Sequence, residues 1–251
     1  MDTDLFNLIT LAIVGVVAGF INVVAGGGSL LTLPLLIFMG LPSTVANATN
    51  RVAIFSQNVF SVIGFKTKGV AAFPYSLYIA ISALLGAVIG AKISVNLDEA
   101  LFNRIIALVM VVVLLFTALI PTSALKKSAE KTDLKSTLFG VILFFFVGVY
   151  GGFIQAGIGF IMILILTRLN KFSLVKTNSA KVFVALVYTS SALVVFIIED
   201  MINWPYGVAL ALGTSAGGWI ASRWSVKKGD RWIKRFLIVA VSVMAIKLWF
   251  F

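Results

Sequence analysis

The chain has no cysteine and no histidine. It can therefore form no disulfide and no thiolate metal centre, and it lacks both the commonest zinc ligand and the usual general base. It is also poor in acid, with nine Asp and Glu against 20 Lys and Arg in 251 residues. Those nine, Asp2, Asp4, Asp98, Glu99, Glu130, Asp133, Glu199, Asp200 and Asp230, all fall in expected loops or chain ends. Catalysis would have to rest on Lys, Ser and Tyr alone, so no enzyme, no catalytic residue, no metal site and no cofactor is expected. The opening Met1-Asp2-Thr3-Asp4 lacks the basic n-region and cleavage site of a secretory signal, so the first apolar segment is expected to be retained.

What is present is apolar. Hydrophobic residues make up 61% of the chain and mean hydropathy is +1.10, well above the roughly half-apolar usage of soluble domains. A water-soluble fold is excluded. Apolar segments fall at about 5–25, 29–39, 44–65, 75–95, 100–120, 136–157, 159–169, 174–198, 204–225 and 231–251. Several reach the ~20 residues that a helix needs to cross a ~30 Å hydrocarbon core. The segments 29–39 and 159–169 are too short, and each follows a glycine cluster: Gly26-Gly27-Gly28 in one case, Gly151-Gly152 and Gly157 in the other. A polar linker over 121–135 divides the chain into a first membrane repeat, 1–120, and a second, 136–251.

The halves align as copies. Arg51 and Lys181 are 130 positions apart, and at that offset Gly27 meets Gly157, Ser43 meets Ser173, Thr49 meets Ser179 and Val52 meets Val182. The small-residue runs Gly86–Gly90 and Gly213–Gly217 correspond at a slightly different offset, a spacing suited to close helix packing. Loop charge tests the direction of the repeat, because cytoplasmic loops carry the Lys and Arg. Basic loops, from Lys66 and Lys68 through Lys126 to Lys135, then Arg168 and Lys171, then Lys227 to Arg235, alternate with acidic connections at 2–4, 98–99 and 199–200. Five segments per half then place the halves in opposite orientation with both termini outside. The expected fold is thus an all-α polytopic membrane protein of two inverted repeats, each with a glycine-broken short helix or hairpin plus spanning helices. Whether the short segments cross or form re-entrant hairpins is left open by the charges. The excess of basic residues reports orientation, and no nucleic-acid partner is expected.

Polar residues gather in two matching places. The first holds Asn22, the turn Gly27-Gly28-Ser29, Thr32, and a run containing Asn47, Asn50, Arg51, Gln57 and Asn58. The second holds Gln155, Gly157, Gly159, Thr167, and a run containing Lys176, Thr177, Asn178, Ser179 and Lys181. Helical spacing puts Asn47, Asn50, Arg51 and Asn58 on one face, and Thr177, Asn178 and Lys181 on another. A cation inside a membrane helix costs at least ~2.5–3.5 kcal/mol and needs a partner, yet no carboxylate lies within these segments. Such a cation beside amides, hydroxyls and a glycine turn suits a small anion. Lys92, Arg104, Arg223 and Lys247 lack these surroundings and are expected to snorkel. Trp204, Tyr206, Trp219, Trp224, Trp232 and Trp249 are expected in interfacial belts.

The stretch Gly19-Phe-Ile-Asn22-Val-Val-Ala-Gly-Gly-Gly-Ser29-Leu-Leu-Thr32-Leu-Pro34, followed by Ala46-Asn47-Ala-Thr-Asn50-Arg51, resembles the sulfite exporter TauE/SafE family. The second copy, Tyr150-Gly-Gly-Phe-Ile-Gln155-Ala-Gly-Ile-Gly159 with Lys176-Thr-Asn-Ser-Ala-Lys181, resembles it too, so nearly the whole chain is covered. It departs from the first copy at Gln155 and Ile158, and the half-sites should not bind identically. The resemblance implies export of sulfite or organosulfonates such as sulfoacetate or taurine across the cytoplasmic (inner) membrane. The residues add a secondary transporter working by alternating access, with an anion channel as the alternative. The oligomeric state is not read from the sequence.

Overall fold

The computed structural model describes residues 5–119, 129–233, 235, 236 and 239. Among them the regular structure is helical: α1 (Leu5–Val24), α2 (Ser29–Phe38), α3 (Ser43–Lys66), α4 (Tyr75–Val95), α5 (Glu99–Leu119), α6 (Leu134–Phe153), α7 (Ile158–Arg168), α8 (Leu174–Ile198) and α9 (Trp204–Lys228). Helix starts follow capping chemistry. Asp133, Ser173 and Asn203 each accept the N–H three residues on, at α6, α8 and α9, which relieves one of the orphan donors of a first turn. Most of the expected segment 231–251, with Lys247 and Trp249, position 120 and positions 121–128 of the linker lie outside the described residues.

α1, α4, α6 and α8 are long and apolar enough to cross a membrane. α2 and α7, with 10 and 11 residues, extend only about 15 Å at ~1.5 Å per residue, half of a hydrocarbon core. The expected segment 136–157 ends early, at Phe153, because the chain breaks at Ile154–Gly157, where Gln155 and Gly157 have φ of 65° and 70°. Gly28 packs on Ala18 and Asn22, so α2 folds back along α1.

Many large apolar side chains are turned outward. Ile9 and Ile13 on α1, Ile81, Leu85 and Ile89 on α4, and Leu138, Ile142 and Phe146 on α6 are exposed, as a lipid-facing surface requires. Small residues take the helix contacts instead, since close backbone approach drives packing where burial of apolar area does not. Gly86 and Gly90 of α4 meet the backbone at Phe145 and Val149 of α6. Gly148 and Gly152 return the contact to Ala83 and Ala87. The other half repeats this: Gly213 and Gly217 of α9 meet Ala12 and Val16 of α1, and Gly15 and Gly19 meet Leu210 and Thr214. The first helix of each half thus packs on a helix of the other half, α1 on α9 and α6 on α4. α3 packs on α9 and α8 on α4 in the same exchanged manner, and α3 and α8 meet each other.

Loops gather by sign. Asn170 joins its backbone and side chain to Lys131 and accepts from Tyr75, which ties three basic loops together. Glu99 instead accepts from Ser43 N, and the Asn203 N–H donates to Thr49. Tyr206 corrects the interfacial expectation: it is 1% exposed and takes a hydrogen bond from Asn7 at 3.3 Å. Trp224 is half-buried against Phe20 and Phe236, whereas Trp204 and Trp232 are exposed.

Candidate functional site

Both glycine breaks come to one place. A Cβ on Gly26 would collide with the backbone of Gly159, and one on Gly159 with that of Gly26. Gly26 can hold this position because its φ is +94°, a left-handed conformation that only glycine adopts freely.

The intramembrane cations serve the breaks crosswise. Arg51 of α3 is fully buried, and its Nη1 donates to Gly151 O and to Gln155 Oε1, at the end of α6. Its Nη2 donates to Gly152 O at 3.1 Å and to Asn47 Oδ1 at 3.2 Å. Asn47 itself donates to Phe153 O at 2.8 Å. Lys181 of α8 donates to Asn22 O at 3.0 Å and Val23 O at 2.7 Å, at the end of α1, and Asn178 donates to Val24 O at 3.2 Å. Helix C-termini leave carbonyls unpaired and carry partial negative charge, so each half supplies the cation that completes the other half's broken helix. As the sequence implies, neither partner set contains a carboxylate.

Donor accounting leaves a surplus. A guanidinium has five N–H donors and an ammonium three. Arg51 uses four, and its Nε has no partner. Lys181 uses two.

Beside the crossing lies a small cavity of about 20 Å³, lined in part by Asn22, Asn58, Gln155, Gly159, Lys181 and Tyr188. Asn22 donates to Gln57 at 3.1 Å, and Gln155 donates to Thr189 at 3.3 Å. Tyr188 Oη and Gln57 Nε2 have no hydrogen-bond partner among the described residues. Of the residues expected from the sequence, Asn22, Gln155, Gly159 and Lys181 reach this cavity. Arg51, Asn47 and Asn178 lie at the helix breaks, and Asn50 accepts from Thr32 at 2.8 Å. Gly27, Gly28 and Gly157 lie in the turns themselves, and Ser29 opens α2. Ser179 faces elsewhere, donating to Val70 O at 3.1 Å and lining a second cavity of about 310 Å³ with Lys66, Ser76 and Phe183.

Tyr188 was not expected, although its spacing of seven from Lys181 puts both on one face of α8. The departures at Gln155 and Ile158 separate the half-sites, since Gln155 holds Arg51 while Ala25, its counterpart in the first half, carries no polar group.

Spanning-length apolar helices with two broken helices meeting at one place define a polytopic helical membrane protein. Residues 11–248 match the sulfite exporter TauE/SafE family, and the chain belongs to that family of membrane transporters. It is 27% identical over 248 residues to a "Probable membrane transporter protein" of Haemophilus influenzae, covering 99% of this chain and 96% of that one. A "Probable membrane transporter protein ORF9" of a Sinorhizobium species is 25% identical, with 97% and 93% covered. The "Probable membrane transporter protein YfcA" of Escherichia coli K12 is 27% identical, with 94% and 87% covered. No solved structure matches the chain.

Proposed function

We propose that the protein is a secondary transporter that exports small oxyanions, sulfite or organosulfonates such as sulfoacetate, across the cytoplasmic membrane. The observation that carries this reading is Lys181, lining a small cavity with Asn22, Gln155 and Tyr188 beside the meeting breaks, with no carboxylate among the described lining residues. At each break the partial negative end of one helix stands next to the partial positive start of another, about −0.5 against +0.5. These dipoles roughly cancel and leave the charges of Arg51 and Lys181 to be met by the solute. Lys181, Asn22, Gln155, Tyr188 and Gly159 form the immediate contacts. Arg51, Asn47, Asn50, Asn178, Gly27, Gly28, Ser29 and Gly157 hold and shape the turns, and Ser179 stands on the way to the basic face.

The small cavity favours a carrier over a channel. A space of about 20 Å³ holds about one water, so a sulfonate enters only when the turns at Gly26 and Gly159 part. The exchanged packing of α1 on α9 and α6 on α4 supports two halves of opposite orientation that rock about this point. The grouping of basic loops at one end supports that end as cytoplasmic and the termini as external.

Binding of sulfite, sulfoacetate, taurine, sulfate and thiosulfate to the purified protein tests the reading. Saturable binding of one of them, weakened tenfold or more by Lys181→Met, is the expected result. Equal binding by wild type and Lys181→Met across the panel would overturn it.

A further inference from the structure

The start of α6 borders an open cleft of about 1090 Å³ that has no part in the site above. It is lined by Arg168 at the end of α7 and Lys171 beyond it, and by Lys131 of the linker and Lys135 in the first turn of α6. One wall is apolar: Leu138, Phe139 and Ile142 are 56%, 54% and 56% exposed on a helix long and apolar enough to span.

Acids are present in the cleft but already engaged. Glu130 pairs with Lys176 at 2.5 Å. Asp133 accepts from Ser136 N at 3.3 Å and from Ser136 Oγ at 2.7 Å, capping α6. Lys135, Arg168 and Lys171 form no ion pair or side-chain hydrogen bond among the described residues. Hydrogen bonds join Lys131 to the turn at Asn170. Buried Asn170 accepts from Lys131 N and donates to Lys131 O, both at 2.9 Å, and takes a third bond from Tyr75 at 2.9 Å, so the linker and the turn are tied together.

Unengaged cations above an exposed apolar wall at the end of a spanning helix match one amphiphile, with an anionic head and hydrocarbon tails. We propose that this cleft binds an anionic phospholipid of the surrounding leaflet, its phosphate held by Lys135, Arg168 and Lys171 and its acyl chains lying along Leu138, Phe139 and Ile142. Basic pockets at the membrane–water boundary between helices recognise such headgroups, each cation contributing modestly near the surface. The site stands apart from the transport centre, and its occupancy does not depend on what the protein carries.

The test is native mass spectrometry of the full chain in detergent, titrated with phosphatidylglycerol or phosphatidylcholine, with inorganic phosphate as the soluble competitor. Retention of phosphatidylglycerol should exceed that of phosphatidylcholine about tenfold or more, and Lys135→Gln/Arg168→Gln/Lys171→Gln should bring the two level. Lys227→Gln/Lys228→Gln, an exposed basic pair outside the cleft, should retain the preference. Arg168→Gln alone, with a smaller expected loss, serves if the triple variant does not fold. Undiminished preference in both cleft variants, equal loss in the control pair, or displacement of the lipid by millimolar phosphate would each overturn the proposal.

Discussion

Gly26 and Gly159 touch backbone to backbone, so that a Cβ on Gly159 would sit 2.7 Å from the carbonyl oxygen of Gly26. They belong to opposite halves, and their contact is where the two helix breaks meet.

Substitution there should be costly in a way that separates contact from backbone conformation. Gly159→Ala forces the turns apart, and overpacking of this kind costs roughly 1–3 kcal/mol. Gly26→Ala adds a left-handed φ, about 1–2 kcal/mol more. Gly69 also has a positive φ, +72°, but nothing surrounds it, so Gly69→Ala should incur the backbone cost alone and keep transport. Thermal unfolding in detergent with parallel flux assays checks this. Equal losses at positions 26 and 69 would show that the contact carries no weight.

Arg51→Lys should fail although charge is kept. An ammonium offers three donors to the four acceptors that Arg51 now serves, and Gln155, in a left-handed conformation at φ 65°, is the group most dependent on its partner. One acceptor left unpaired in a buried site costs about 1–3 kcal/mol. Stability should fall by that amount, and anion affinity by about tenfold. Wild-type values for both quantities would mean that Arg51 does not position the turn.

The native chain is free of cysteine, which makes topology simple to measure. Asn96 and Lys227 are exposed near an acidic and a basic loop respectively. In intact cells an impermeant maleimide should label Asn96→Cys and spare Lys227→Cys. The reverse pattern would invert the molecule.

Much of this architecture was legible in the sequence, and particular residues show why. Period and apolar length gave α4 at 75–95 and α8 at 174–198, because long uninterrupted helices announce themselves. The end of α6 was placed four residues late, since Ile154 and Gln155 read as helical until tertiary contacts with Arg51 pull Gln155 into a turn. Arg51 and Lys181 were legible as cations without carboxylate partners. Their actual partners, the carbonyls of Gly151, Gly152, Asn22 and Val23, carry no side-chain signature, so no sequence pattern announces the crosswise exchange. Tyr206 misled because an aromatic near a helix start suits both a belt and a buried contact, and only Asn7 decides.

Ion coupling follows from where the acids are. Sodium and proton carriers generally hold their ion with an intramembrane Asp, Glu or His, and most of the described acids have other tasks. Asp98 accepts from Ala100 N at 2.9 Å and Leu101 N at 3.1 Å at the start of α5. Asp133 caps α6, Asp230 accepts from Val175 N at 3.0 Å, and Glu130 binds Lys176. Glu199 and Asp200 are exposed between α8 and α9. Backbone carbonyls at the broken helices could in principle coordinate sodium, but those of Asn22, Val23, Gly151 and Gly152 already accept from Lys181 and Arg51, whose charge repels a further cation. Transport should therefore proceed without sodium, driven by the anion gradient and the membrane potential. Each acid-to-amide variant should keep working, because an amide oxygen can still accept the capping hydrogen bonds. Flux in proteoliposomes across imposed sodium, pH and voltage gradients, for wild type, Lys181→Arg and the amide variants, provides the measurement. Strict dependence on sodium, or loss of pH response through a single acidic residue, would show that the coupling ion binds where this structure offers it no ligand.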